Sequence, residues 1–259
     1  MKYDRFIALG DSMTEGMKDE LIDGQYRGWA DRVADGLARN NPEFTYLNLA
    51  IRGKLLKQVV EDQIPQAVKY IEGKQTIVSF HAGANDVLRP NYKPEVSLPE
   101  YEKAVKQLTD AGATVIIWTV IDKVEGKGRS AALWHMRFSN FNENVRNIAA
   151  KYPVILFDGR QAEFLNTRRF LSFDRLHMNP EGHYRLANLV LEKLGYEFDA
   201  NWKIPPALDK PQSKLKKNLN NLAWILVFVM PWIWRRVRGK SSGDGRGAKH
   251  QEPIRWIKH

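Results

Sequence analysis

The sequence contains no cysteine among its 259 residues. Disulfide bonds, a cysteine nucleophile and thiolate metal sites are therefore excluded, and the composition is compatible with a reducing compartment. A chain of this length can bury a core that needs no such cross-links. Hydrophobic residues make up 43% and charged residues 27% of the chain, which is ordinary for a folded soluble protein.

The N-terminus lacks the long apolar stretch of a signal peptide. Its apolar run extends only from Phe6 to Leu9, and no small-residue cleavage site follows it. We therefore expect a protein that is not exported and is located in the cytoplasm.

The first 202 residues lack a net charge, although the whole chain carries a formal charge of +10. Residues 1–202 contain 27 basic and 27 acidic side chains, whereas residues 203–259 contain 13 basic and 3 acidic ones. A nucleic-acid-binding domain carries a basic footprint on its folded surface. The distribution therefore predicts no nucleic-acid partner and assigns the basic character to the C-terminal part of the chain.

Short apolar runs rich in β-branched and aromatic residues alternate with longer segments of helical periodicity. The predicted strands are Arg5–Leu9, Thr45–Ala50, Thr76–His81, Thr114–Thr119 and Val154–Asp158. The predicted helices are Gly28–Arg39, Lys54–Glu72 with a break at Pro65, Pro99–Ala111, His135–Lys151 and Pro180–Leu194. This alternation predicts an α/β fold, a three-layer doubly wound parallel sheet of about five strands in a flavodoxin-like order.

Candidate catalytic residues follow successive predicted strands. Ser12 comes directly after the first strand, Gly53 after the second and Asn85 after the third. Asp174 and His177 lie late in the chain, before the last predicted helix. In open α/β sheets, ligands bind at the edge where parallel strands have their carboxyl ends, so we expect these residues to meet there.

In these residues the chain resembles the SGNH hydrolase superfamily, the GDSL-type esterases and lipases. The residues that give this superfamily its name match Ser12, Gly53, Asn85 and His177 in order, and the likeness spans roughly residues 5–195. The segments 10–16, 27–32 and 174–183 are similar to GDSL esterase-like proteins of actinobacteria. The family usually has serine where this chain has Met13.

The resemblance implies a serine hydrolase that cleaves carboxylic esters as an esterase, lipase or deacylase. A serine hydroxyl needs an adjacent base, and an imidazole titrates near the working pH, so His177 would take the proton of Ser12. Asp174 would orient the imidazole. By the family's pattern, the backbone N–H groups of Ser12 and Gly53 and the side-chain amide of Asn85 would form the oxyanion hole. We predict no cofactor and no metal, a small-molecule ester substrate and a monomer.

Other candidates have weaker support. His183 lies within the last predicted helix and has no carboxylate three positions earlier, so we interpret it as a structural residue. His81, at the end of a strand, is interpreted as a core or pocket-wall residue. Asp11 and Asp86 are expected to brace their loops. Residues 239–243 match a G-x-S-x-G nucleophile elbow, but they lack the flanking strand and helix that such an elbow requires.

The C-terminal part of the chain differs in composition from the rest. We expect an SGNH hydrolase domain over residues 1–198, a linker over 199–213, an apolar and basic helix over 214–238 and a flexible basic tail over 239–259. The apolar run Leu222–Trp234 has 13 residues, which give a helix of roughly 20 Å, shorter than a bilayer core of about 30 Å.

The helix is therefore expected either to pack on the domain or to lie in a membrane interface. Three tryptophans within the run and cationic flanks on both sides favour peripheral contact with an anionic membrane through residues 214–238. The cationic flanks are Lys214, Lys216 and Lys217 before the run and Arg235, Arg236 and Arg238 after it. Pro231 is expected to kink the helix. An alternative function is a catalytically silent module that uses the fold as a scaffold for this membrane contact.

Overall fold

The computed structural model describes residues 2–120, 128–160, 167–205, 207 and 212–257. Parts of the predicted linker, the last two residues of the predicted tail and most of the loop that follows the fourth predicted strand lie outside the described residues.

A six-stranded sheet forms the centre of the molecule. The described strands are β1 (Arg5–Gly10), β2 (Leu21–Ile22), β3 (Gln25–Tyr26), β4 (Thr45–Asn48), β5 (Thr76–His81), β6 (Thr114–Trp118), β7 (Val154–Phe157) and β8 (His250–Arg255). The sheet order is β7-β6-β5-β1-β4-β8, and only β8 is antiparallel to its neighbour. Strands β2 and β3 form a separate hairpin.

Helices cover both faces of the sheet. The described helices are α1 (Ser12–Glu15), α2 (Gly28–Ala38), α3 (Leu56–Gln58), α4 (Ile64–Val68), α5 (Ala84–Val87), α6 (Pro94–Asp110), α7 (Arg129–Lys151), α8 (Pro180–Lys193), α9 (Lys214–Trp224) and α10 (Met230–Val237). Short 3₁₀ turns lie at Arg168–Phe170 and Ala200–Lys203.

The alternation of side chains along β1 explains the three layers. Phe6 and Ala8 point to one face, where α2 and α8 pack. Ile7 and Leu9 point to the other face, where α3, α4, α6 and α7 pack. A parallel strand buried on both faces needs apolar residues at every position, and β1 is apolar from Phe6 to Leu9 for this reason. The predicted doubly wound α/β fold is confirmed, with six strands in place of about five.

The sixth strand, β8, belongs to the segment in which a flexible tail was expected. It pairs with β4 along the sheet edge, with Tyr46 opposite Ile254 and a register shift before Asn48. Its sequence is polar and contains Pro253, which an edge strand tolerates because only one of its sides is hydrogen-bonded. Such a strand has no apolar run, so periodicity alone does not reveal it.

Prolines are accommodated within two helices by a widened turn. A π-helical turn, Val59–Gln63, joins α3 to α4 directly before Ile64 and Pro65. A second, Ile225–Val229, joins α9 to α10 directly before Met230 and Pro231. Proline lacks an N–H and its ring collides with the carbonyl four residues earlier, so the wider turn lets the helix continue. The chain therefore stays helical through Pro65, where a break was predicted.

Two helices begin earlier than predicted. Helix α6 starts at Pro94 rather than Pro99, because the first of two prolines occupies the first helical position. Helix α7 starts at Arg129 rather than His135. Its first turns are largely exposed, so they have no apolar periodicity to mark them. No helix of the described residues is both long enough and apolar enough to cross a bilayer.

Trp256 fixes the end of the chain to the domain. Its side chain is 6% exposed, and its ring centroid lies 4.8 Å from that of Tyr46. Its indole N–H donates to Asp35 at 2.9 Å. Replacing a buried tryptophan by alanine typically costs about 3–5 kcal/mol. We predict that Trp256→Ala lowers the free energy of unfolding by about that amount in urea denaturation. Ile257→Ala, at a neighbouring side chain that is 73% exposed, is the control and should change it little. Equal stability of the two variants would contradict the docking of β8.

Candidate active site

The structure brings Ser12, His177 and Asp174 into a continuous hydrogen-bonded chain. Ser12 Oγ lies 2.9 Å from His177 Nε2, and His177 Nδ1 lies 2.9 Å from Asp174 Oδ2. All three side chains are buried. A carboxylate can only accept, so Nδ1 carries the proton and Nε2 is left to accept from the serine hydroxyl.

The three-residue spacing of Asp174 and His177 works because the loop between them is a tight turn. Asp174 Oδ1 accepts from the backbone N–H groups of Leu176 and His177, each at 3.0 Å, and from the Ser172 hydroxyl at 2.8 Å. Arg175 adopts a positive φ of 62° to close the turn. Burial by itself would raise the pKa of Asp174, but the hydrogen bond and electrostatic attraction of His177 and the two N–H donors hold that pKa well below its usual range.

Ser12 is the first residue of α1 and is braced from two sides. Asp11, the N-cap, accepts from the Met13 N–H at 3.2 Å and from Asn85 Nδ2 at 2.9 Å. The buried Gln63 side chain holds Gly10, accepting from its N–H at 2.8 Å and donating to its carbonyl at 2.9 Å. Asp11 therefore braces its loop as expected. Gln63 was not identified from the sequence, because it lies 53 residues from its partner and matches no motif.

The expected oxyanion-hole residues lie beside Ser12. The backbone N–H groups of Ser12 and Gly53 have no acceptor among the described residues. Asn85 Nδ2 donates to Asp11 and also to the carbonyl of Lys54 at 3.1 Å. Gly53 has a φ of 76°, and a Cβ there would lie 2.0 Å from Ser241 Oγ. The positive φ therefore requires glycine at position 53, and a side chain there would also displace the Ser241 hydroxyl.

Ser241 belongs to the C-terminal arm, defined here as residues 212–257. Trp224 of the arm donates its indole N–H to the carbonyl of Asp174 at 3.0 Å. Gly243 lies so close to Arg52 that a Cβ would come within 2.0 Å of the Arg52 carbonyl oxygen. The segment 239–243 is thus a loop packed against Gly53. It has the residue pattern of a nucleophile elbow but not the strand and helix of one. No sequence pattern indicated this contact, because both sides of it lack a local signature.

Two cavities meet at Ser12. The first, of about 150 Å³, has mainly apolar walls that include Leu88, Phe138 and Phe157. The second, of about 50 Å³, lies between the domain and the arm and is lined by Trp232 and Arg236 among others. Ser12, Asn85, Leu176 and His177 border both cavities. The serine hydroxyl is therefore accessible from two sides of different character.

Two other histidines, His183 and His81, lie near the site and pack within the domain. His183 is fully buried, and its Nδ1 accepts from the Trp29 N–H at 3.2 Å while its Nε2 lies 3.2 Å from the Met17 carbonyl. Burial lowers the pKa of His183 to about 4. His81 lines the apolar cavity at the end of β5, and burial lowers its pKa as well. Both positions agree with the structural interpretation of these residues.

The site joins a serine, an imidazole and a carboxylate at the carboxyl edge of a doubly wound sheet. This is the geometry of a serine hydrolase site. Residues 8–185 match the model of the GDSL-like Lipase/Acylhydrolase family. The chain belongs to this family and is a hydrolase that acts on ester bonds. The match ends within α8, so the C-terminal arm lies outside it.

Solved structures share the fold at low sequence identity. The acetylxylan esterase Axe2 of Geobacillus stearothermophilus is 20% identical, with a TM-score of 0.62 over 77% of this chain and 100% of that one. A member of the lipolytic protein G-D-S-L family from Veillonella parvula is 21% identical, with a TM-score of 0.55 over 73% and 96%. LAE5, an alpha/beta hydrolase enzyme from the metagenome of Lake Arreo, is 20% identical, with a TM-score of 0.57 over 74% and 95%. No curated protein matches the chain in sequence.

Asp86, next to Asn85, makes stability depend on pH. Its Oδ2 accepts from the Leu56 N–H at 2.8 Å, and burial raises its pKa from 3.8 to about 6. A carboxyl group whose pKa is raised by folding holds its proton more tightly in the folded state. Stability is therefore lost as the pH rises from about 4 to above 6, by about 2–3 kcal/mol for a shift of two units.

We predict that Asp86→Asn, which keeps an acceptor for Leu56, removes this loss. The gain in unfolding free energy from the substitution should be about 2 kcal/mol larger at pH 7.5 than at pH 4.5, measured in urea. Asp110→Asn, at an exposed carboxylate of α6, serves as the control. A gain that is the same at both pH values would show that burial of Asp86 does not oppose its ionisation.

Proposed function

We propose that the chain hydrolyses carboxylic esters through Ser12, His177 and Asp174, with an acyl-enzyme intermediate. The observation that carries the proposal is the 2.9 Å contact from Ser12 Oγ to His177 Nε2, continued by the 2.9 Å contact from His177 Nδ1 to Asp174. The contacts orient the imidazole so that its free lone pair faces the serine hydroxyl, as nucleophilic catalysis by serine requires.

In the first half-reaction, Ser12 Oγ attacks the ester carbonyl while His177 Nε2 takes the hydroxyl proton. Asp174 stabilises the imidazolium that forms. The carbonyl oxygen becomes an oxyanion, for which the N–H groups of Ser12 and Gly53 are available donors. Asn85 can supply a third donor if one N–H of its amide turns from the Lys54 carbonyl to the oxyanion.

Collapse of this intermediate breaks the bond between the carbonyl carbon and the alcohol oxygen. His177 gives its proton to the departing alcohol, which leaves the acyl group on Ser12. In the second half-reaction His177 takes a proton from water as the water oxygen attacks the acyl carbon. The second intermediate then collapses: its bond to Ser12 Oγ breaks, His177 returns the proton to that oxygen, and the carboxylic acid leaves.

The apolar cavity suits the acyl side of the substrate. Its walls combine aliphatic and aromatic side chains from α5, α7 and β7. Burying a hydrocarbon chain against such walls supplies binding free energy of about 0.8 kcal/mol per methylene group. These walls support an acyl chain longer than the acetyl group of acetylxylan, the substrate for which Axe2 is named. A catalytically silent scaffold has no support, because none of the proposed catalytic groups is missing or displaced.

Ser12→Ala tests the reaction. The variant should lose about 10⁴–10⁶-fold in kcat on a chromogenic acyl ester, because no other group replaces the nucleophile. It should also lose covalent labelling by a serine-directed fluorophosphonate, read by intact-protein mass. Ser97→Ala, in α6 and away from both cavities, is the matched control and should behave as the unaltered chain. Undiminished turnover or labelling in Ser12→Ala would refute the role of Ser12.

We also propose that the arm contacts an anionic membrane surface through the outer face of α9 and α10. This outer face presents apolar side chains that are about half exposed or more, at helical spacing. They are Leu215, Leu219, Leu222, Leu226, Met230, Ile233 and Val237. Soluble surfaces rarely expose a contiguous apolar stripe of this length.

The inner face of the same helices contacts the domain. Trp224, Phe228 and Trp232 are less exposed and point toward the active-site loops. This explains why the run Leu222–Trp234 is apolar on all sides. Its inner face packs on the domain, and its outer face is exposed. Three lysines at the start of α9 (Lys214, Lys216 and Lys217) carry the charge that anionic lipid attracts.

Sedimentation with vesicles tests the membrane contact. The full chain should pellet with phosphatidylglycerol vesicles, and Leu222→Asp combined with Leu226→Asp should leave it in the supernatant. Val96→Asp is the control, since Val96 in α6 is as exposed as Leu226, at 56% and 54%. Point variants are preferable to truncation, because truncation would also remove β8 from the sheet. Equal pelleting of the double variant and the control would refute the proposal.

A further inference from the structure

The smaller cavity beside Ser12 has a cationic wall that the arm supplies. Gly53, Ser12 and His177 line it on the domain side, and Arg235, Arg236 and Lys240 line it on the arm side. No acidic side chain lines it among the described residues. The cavity therefore presents several positive charges beside the nucleophile without a carboxylate to balance them.

Arg236 is the member of this wall whose surroundings point to a ligand. Its Nε and Nη1 atoms are both shielded from solvent and have no hydrogen-bond partner among the described residues. The guanidinium instead stacks on the ring of Trp232, 5.1 Å from its centroid. Unpartnered buried donors on a charged group are costly, so their presence beside a reactive serine indicates that they act on something that binds there.

The electrostatic surroundings of Arg236 strengthen this interpretation. Burial lowers its pKa to about 10, and the positive charges of Arg89 and Arg235 act in the same direction. Asp244 opposes them, but its carboxylate is engaged by the Ser241 N–H at 2.8 Å. A bound anion would relieve both the desolvation and the repulsion. The planar guanidinium offers paired N–H groups that match two oxygens of such an anion.

The two cavities on either side of Ser12 therefore differ in the chemistry that they accept. One has apolar walls and suits a hydrocarbon acyl chain. The other has three cationic side chains and suits an anion with more charge than a single carboxylate. An ester whose carbonyl lies at Ser12 would place its acyl chain in the first and its alcohol in the second.

We propose that the enzyme acts on esters whose alcohol part carries a phosphate group, and that Arg236 of the arm binds this phosphate. The proposal rests on ester hydrolysis through Ser12. It gives the arm a role in choosing the substrate, since a chain that ended at the family match would lack the cationic wall. A phosphate-bearing glycerol ester with one acyl chain has the required parts.

Turnover of a matched pair of soluble esters tests the preference. The pair is 1-hexanoylglycerol and 1-hexanoylglycerol 3-phosphate, both used below the concentration at which they aggregate. The unaltered enzyme should have the higher kcat/KM on the phosphorylated ester. The measured quantity is the kcat/KM on the phosphorylated ester divided by that on the unphosphorylated ester. In Arg236→Gln this ratio should fall about ten- to a hundredfold, as the loss of a charged hydrogen bond predicts.

Two further variants make the result specific. Arg236→Lys keeps the positive charge and should recover part of the ratio. Arg238→Gln removes the same charge two residues later, from a side chain that stacks on Trp234 and does not line the cavity. The ratio in Arg238→Gln should equal that of the unaltered enzyme. An equal ratio in Arg236→Gln and the unaltered enzyme would overturn the proposal.

A binding measurement separates this proposal from the proposed reaction. Glycerol 3-phosphate and inorganic phosphate are titrated calorimetrically into Ser12→Ala, and into Ser12→Ala combined with Arg236→Gln. Glycerol 3-phosphate should bind more tightly than inorganic phosphate, and the added Arg236→Gln should weaken it at least about tenfold. Equal binding of the two anions, or no effect of Arg236→Gln, would overturn the assignment. Retained turnover in Ser12→Ala would instead refute the role of Ser12 and leave the binding result to decide the phosphate site.

Discussion

The carboxylate of Asp174 is the group on which the site depends. It accepts four hydrogen bonds, from Ser172, from the N–H groups of Leu176 and His177 and from the His177 ring. The backbone carbonyl of the same residue accepts from Trp224 of the arm. One residue thus closes the turn, orients the imidazole toward Ser12 and holds the arm beside the active site.

The features that could be predicted from the sequence are those with a local signature. Five parallel strands were identified because a strand buried on both faces must be apolar throughout. Ser12, Gly53, Asn85, Asp174 and His177 could be selected as candidates because they occur in short motifs directly after strands or before a helix. The parallel arrangement then brings their loops to one edge, so spacing along the chain was enough to predict their meeting in space.

The features that escaped prediction depend on partners far along the chain. Gln63 holds Gly10 through two hydrogen bonds that no motif records. Strand β8 is polar and pairs with β4, a strand about 200 residues earlier in the chain. The arm's loop packs on Gly53, and its Gly243 approaches the Arg52 carbonyl so closely that only glycine fits there. The apolar run of the arm could be recognised in the sequence. Its division into an inner face that borders the Ser12 cavity and an exposed outer face could not.

The pairing of β8 with β4 also has a consequence for association between molecules. Strand β4 would otherwise be the open edge of the sheet, with a row of unpaired N–H and C=O groups available to any extended chain. The covering strand contains a proline and carries charged side chains at Glu252 and Arg255, which makes it a poor template for a further strand. Strand β8 therefore protects the sheet against edge-to-edge aggregation. A chain that lost β8 would expose a backbone edge on which polymerisation can begin.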